Sequence, residues 1–165
     1  WLDRGTFYNV FGLGEYTWAD YKVVWCRLGF KPHFAVVSTI DDDDLCEKPV
    51  VPGDHFMFIP TDDEDEAHFL CGLLNSAVYQ KSISGIASEG KSSLSKAVVS
   101  RLELPAYEPT EDGGRLADRS VAAHGIVPRH TDVSKREDNG TTIRELEAVQ
   151  AEIDELVERM RSAGP

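Results

Sequence analysis

The run YKVVWCRL (21–28), followed by GFKPH and then FAVVSTI (34–40), constrains the fold of this 165-residue chain more than any other segment. Its β-branched and aromatic residues suit strands, and the Gly and Pro between the two runs mark a turn, so the pair predicts a hairpin. Side chains alternate along a strand, so the two faces of 21–28 can both be core only if a second layer covers the sheet. Trp25 with Val23 or Val24 is expected to face inward, with Lys22 and Arg27 at the margins. HFMFIP (55–60) reads as a third strand, ended by Pro60.

Helical periodicity begins directly afterwards. In TDDEDEAHFLCGLLNSAVYQ (61–80), Ala67, Leu70, Leu74 and Ala77 form one stripe, widened by Phe69 and Leu73. Thr61 and Glu64 have capping-box spacing, and the other acids sit where a first-turn dipole favours negative charge. KSISGIASEGKSS (81–93) reads as a Gly/Ser-rich loop. LSKAVVSRLELPAY (94–107) reads as one helical turn and a short strand. Residues 108–140 read as a linker with a short helix near 115–124. At the C-terminus, Leu146, Val149, Ile153, Leu156 and Met160 recur at spacings of three and four, with Thr142 and Glu145 as a capping box. That seam is short for a long coiled coil. It suits packing on the body of the protein, on a parent domain or on one partner helix. The expected organisation is α+β, with a small mixed or antiparallel sheet and a packed helix in 1–107, the linker in 108–140, and an amphipathic helix in 141–165.

The formal net charge of −12 is local in origin. Residues 41–66 hold eleven acids and one base, whereas residues 1–40 and 67–107 together carry eight bases and five acids, a net of +3. The acidic total therefore weakens a polyanion-binding reading without excluding it. DDDD (41–44) is expected in a solvated loop between strands, and DDEDE (62–66) at the helix start. Cys26, Cys46 and Cys71 are odd in number and far apart, which favours reduced thiols and a cytoplasmic setting over a disulfide frame or zinc knuckle. No apolar run approaches the ~18 residues of a membrane helix.

One motif points to chemistry. GIASEGKS (85–92) satisfies the phosphate-cradling pattern, with Gly85, Gly90, Lys91 and Ser92 in register. That mechanism requires a buried strand ahead of the loop and a long helix behind it. Here the preceding VYQKSIS is polar and follows a helix, so a flexible basic loop is the favoured reading and a nucleotide site the alternative. The scattered histidines give no helical metal pair, and neither a nucleophile elbow nor a dinucleotide fingerprint is present. Tyr8, Phe11, Tyr16, Trp18, Tyr21 and Trp25 would individually serve a core. Clustered beside Lys22, Arg27 and Lys31, they also suit stacking on bases while the cations neutralise phosphates.

The succession GLGEYTWADYKVVW, KPVVPGDHFMFIPTDDEDEAHFLCGLLNS, GKSSLSKAVVSRLELP, RLADRSVAAH and EIDELVERM resembles the C-terminal target-recognition domain of adenine-N6 DNA methyltransferases of the fused restriction–modification kind, type IIG with a TaqI-like specificity domain. The resemblance is strongest over 12–28, 48–76 and 90–107. It implies reading of a short duplex sequence in the major groove for a methyltransferase that uses S-adenosylmethionine. The catalytic Asn-Pro-Pro-Tyr/Phe motif and the cofactor domain would lie upstream, so this stretch, beginning at Trp1, is expected to be a catalytically silent fragment. Candidate DNA contacts are Tyr16, Trp18, Lys22, Arg27 and Lys31 from the opening unit. Ser84, Ser88, Lys91, Ser92, Ser93 and Lys96 are the candidates from the loop. An adaptor role for the terminal helix is a further alternative, with DNA irrelevant to it.

Overall fold

The computed structural model describes residues 14–27, 32–44, 46–87, 94–130 and 143–162. The expected hairpin is present: β1 (Tyr21–Cys26) pairs antiparallel with β2 (Phe34–Val37), Val23 opposite Val36 and Trp25 opposite Phe34. The acidic tetrad is not a plain loop. Asp41 and Asp42 end β3 (Thr39–Asp42), which pairs antiparallel with β4 (Cys46–Pro49) in a second, exposed two-stranded hairpin. β5 (Phe56–Thr61) flanks β1 on its other side, so the main sheet has the order β2-β1-β5 and β1 is central. With five α-helices among the described residues, the architecture is α+β.

Both faces of β1 are covered, by different layers. Val23 and Trp25, with Phe34, Val36, Met57 and Ile59 beside them, belong to the main core under α1 (Glu64–Asn75). The opposite face carries Lys22 and Val24 on β1 with Phe58 and Pro60 on β5. A 3-10 helix, Glu15–Trp18, lies against that face with the Tyr16 and Phe58 ring centroids 5.8 Å apart. This short turn supplies the second layer that an all-apolar central strand demands. It also buries Lys22, which is 0 % exposed and donates from Nζ to the Ala19 carbonyl at 2.6 Å. The expectation of a marginal Lys22 is thereby corrected: burial holds its ammonium pKa below the usual lysine value, against the raising influence of Asp20 and Asp62.

The cap of α1 also differs in detail. Asp63, not Thr61, is the N-cap, its carboxylate accepting the Glu66 amide at 3.0 Å. Thr61 instead donates its hydroxyl to Glu66. Helix α1 then stops at Ser76, whose backbone turns extended. The next helix, α2 (Ala77–Ala87), starts on a carboxylate borrowed from far along the chain, the Ala77 amide donating to Asp154 Oδ1 at 2.8 Å. Residues 81–87, read as loop from their Ser and Gly content, are helical. Ser82 and Ser84 return their hydroxyls to the carbonyls of Val78 and Gln80, and Ile83 is buried four residues after buried Tyr79.

After the short helix α3 (Lys96–Val99), residues 103–110 run without the expected strand pairing. The helix predicted near 115–124 extends over α4 (Glu111–His130) and packs along α1, where Leu116 and Ala117 enter the core. A Cβ at Gly72 would sit 2.9 Å from Leu116 Cδ1, so that glycine sets how closely the two helices approach. The terminal helix α5 (Arg144–Ser162) buries Val149, Ile153, Leu156 and Val157 against α4 and α2. Of the three partners open to its seam, the body of this chain is therefore one that it uses. Thr142 lies outside the described residues.

A polar node ties α4 to the sheet. His124 accepts the Val36 amide on Nε2 at 2.9 Å and donates from Nδ1 to the Ser120 carbonyl at 2.7 Å, which requires the neutral ring. His68 on α1 meets Ser120 Oγ at 3.1 Å and the His124 ring edge-on at 5.0 Å. Burial first, then the neighbouring His124, depress the His68 pKa, while Glu64 and Asp65 oppose them. Since the unfolded chain binds that proton more readily, the stability His68 contributes is complete above pH ~6.5 and is lost as pH falls through its lower folded-state value. Melting temperature is expected to decline between pH 7 and 5. His68→Gln should flatten that slope, and an unchanged slope would show that other groups govern it.

Candidate nucleic-acid interface

The central strand sorts the candidate contacts into two places. Tyr16 and Trp18 lie near the end where β1 begins, while Arg27 follows its other end, about 17 Å away at the usual rise per residue. Lys22, between them, points into the protein. Among the described residues, the rings Tyr16 and Trp18 and the cation Arg27 thus lie on different parts of the sheet, while Tyr8, Phe11 and Lys31 lie outside the described residues.

The Arg27 end is built by three long-range bonds. The Arg27 amide donates to the His55 carbonyl at 2.8 Å, and the Leu94 amide donates to the Arg27 carbonyl at 3.0 Å. The Trp25 indole N–H completes the clamp, donating to the Leu94 carbonyl at 2.9 Å. The clamp thus holds buried Leu94, the residue that follows Lys91-Ser92-Ser93 in the sequence, beside the end of β1. Lys96 stands two residues later at the start of α3, exposed like Arg27. Neither side chain has an ion-pair partner among the described residues. The nearby acid is Asp54, 3.9 Å from His55 Nε2. Sequence reasoning missed the clamp. Its available signal was Trp25, a core indole whose N–H demands a buried acceptor.

Lys31, Ser88, Lys91, Ser92 and Ser93 lie outside the described residues. Ser84 is exposed on α2, its hydroxyl donated to Gln80 O at 2.8 Å. Gly85 also belongs to α2, so a helix rather than a buried strand leads into Gly90-Lys91-Ser92. That is the wrong approach for a phosphate-cradling loop.

The other end of the sheet is acidic. Glu15, Asp62, Pro60, Tyr16 and Trp18 border a cleft of about 390 Å³, and the two rings are 49 % and 56 % exposed. The Asp20 amide donates to Asp62 Oδ1 at 3.2 Å, and Tyr21 donates its hydroxyl to Glu64 at 3.2 Å. That bond to Glu64, with burial and the charges of Glu64, Asp20 and Asp63, raises the Tyr21 pKa. Among the described residues no group of three or more His, Cys, Asp or Glu side chains could hold a metal, and no helix is long and apolar enough to cross a membrane. Burial pushes the Cys71 thiol up to about 11, so that core thiol is no nucleophile at neutral pH.

Comparison with known proteins gives one distant likeness. Over 98 residues, 59 % of this chain, the sequence is 26 % identical to the type II methyltransferase M.NspV of a Nostoc species, and the matched part is 19 % of that protein. The chain thus spans about a fifth of the relative's length. No family model matches the sequence, and no solved structure matches it. The likeness links the chain to methyltransferases as a class.

Proposed function

We propose that this chain is a DNA-recognition module of an adenine-N6 DNA methyltransferase of the restriction–modification kind, reading a short duplex sequence for a catalytic domain outside residues 1–165. The similarity to a type II methyltransferase over 98 residues carries the reading. The clamp at Leu94 supports it by joining Arg27, Lys96 and the exit of the Lys91-Ser92-Ser93 segment in one region. Arg27, Lys96 and Lys91 meet phosphates or guanine edges in this proposal, and Ser84, Ser88, Ser92 and Ser93 position the strand. Lys31 belongs with them by sequence. Lys22 has no direct role, because its ammonium is buried. S-adenosylmethionine belongs to the catalytic domain of the full enzyme, and no residue of this chain is assigned to it.

Fluorescence anisotropy with a labelled duplex tests the reading. Binding should weaken steeply between 50 and 200 mM salt, in a range typical of phosphate contacts. Arg27→Ala and Lys96→Ala should each lower the log–log salt slope by about one if the residue meets a phosphate. A slope unchanged in both variants would remove this end of the sheet as the DNA surface. Absence of any duplex binding would remove the function itself.

A further inference from the structure

We propose that the Tyr16–Trp18 cleft is a socket for a cationic side chain, an arginine or lysine presented by a protein segment. It is a second binding surface, separate from the DNA surface proposed at the Arg27 end. Two half-exposed aromatic residues of the 3-10 helix, Tyr16 and Trp18, line the cleft, and the carboxylates bordering it are Glu15 and Asp62. Among the described residues, no cation borders the cleft. Lys22, whose ammonium is buried, is turned toward Ala19 O. Asp62 has only its Oδ1 engaged, by the Asp20 amide, and the Glu15 carboxylate has no partner among the described residues.

This chemistry selects its occupant. A phosphate entering beside two carboxylates meets repulsion without a compensating cation, whereas a guanidinium or ammonium meets ring faces and acceptors together. Asp63 and Glu64, which follow Asp62 at the start of α1, add to the negative potential. The Tyr16 ring is backed from beneath, and the backbone around Trp18 is anchored. Tyr16 packs on Phe58, the Thr17 hydroxyl accepts the Gly14 amide at 3.1 Å, and Lys22 grips the carbonyl just after Trp18. A backed ring on an anchored backbone is better suited to a cation than a mobile one, since less freedom is lost on binding. The resulting division of labour places a polyanion at one end of the sheet and a basic protein surface at the other.

Nuclear magnetic resonance titration of the Trp18 indole N–H tests the socket, with Trp18→Ala identifying the resonance. The probes are N-acetyl-arginine amide and deoxyadenosine monophosphate. A saturable shift with the arginine probe is expected, with the nucleotide leaving the resonance in place. Asp62→Asn keeps an oxygen for the Asp20 amide but removes the charge, and should weaken the arginine probe roughly two- to fivefold. Nucleotide binding as tight as that of arginine, or no saturable shift with either, overturns the proposal. Neither result bears on duplex binding at Arg27, so the two readings stand or fall separately.

Discussion

Phe69→Ala is expected to bring the melting temperature down by roughly 10–15 °C. Phe69 is 1 % exposed at the centre of α1, packed in the core and set against the Tyr107 ring at a centroid distance of 5.3 Å. Truncating a buried Phe destabilises by about 3–5 kcal/mol, through lost transfer energy and the cavity left behind. In a chain of this length each kcal/mol moves the midpoint by about 2–4 °C. Against a typical total of about 5–15 kcal/mol, this one change removes a large share. Differential scanning calorimetry checks it; a shift under about 4 °C would mean that α1 and the sheet collapse into the vacancy. Phe69→Leu, which retains most of the volume, should lose much less.

Asn75→Leu is expected to come second, at about 2–5 kcal/mol. The Asn75 amide acts as a substitute strand: its oxygen accepts the Phe34 amide at 3.1 Å and its nitrogen donates to the Phe34 carbonyl at 2.9 Å and to Cys71 Sγ at 3.4 Å. An isosteric leucine strands the Phe34 amide and leaves its carbonyl only the weak Cys71 thiol donor at 3.4 Å, each loss costing up to about 1–3 kcal/mol where water does not reach. His124 performs the same office for Val36 two residues along, so the outer border of β2 is closed by side chains from two helices. On the opposite border, Pro60 interrupts β5 with a residue that has no amide proton. Amide hydrogen exchange should show Phe34 opening faster in Asn75→Leu while Val23 keeps its protection. Equal acceleration of both would mean that the sheet opens only as a whole.

Much of this arrangement could be read from residue pattern. Alternation and turn residues located β1, β2 and β5, and the stripe Ala67–Leu70–Leu74 located α1. What pattern could not supply was which layer covers the second face of β1. A four-residue 3-10 turn has no periodicity of its own, so Lys22 looked like a strand margin rather than a buried tether. The segment 81–87 misled for a different reason. Serines ordinarily signal loops because they bond nearby backbone, yet here those bonds run to carbonyls inside the same helix. The full length of helix α4 was hidden by Gly113, Gly114 and Pro128, and the helix is held by packing on α1 and by the bond between Arg159 and Asp112. The candidate contacts were chosen on side-chain chemistry, and only the fold shows that Trp18 and Arg27 occupy different places.

A strand with carboxylates gathered at one tip and, beyond the other, cations that have no ion-pair partner among the described residues also has the makings of a lever. In the field of the duplex proposed as its partner it would feel a torque, and the protein would be turned cation-first before any atoms meet. Orientation is thus partly settled during diffusion, leaving the final docking step fewer wrong approaches to reject.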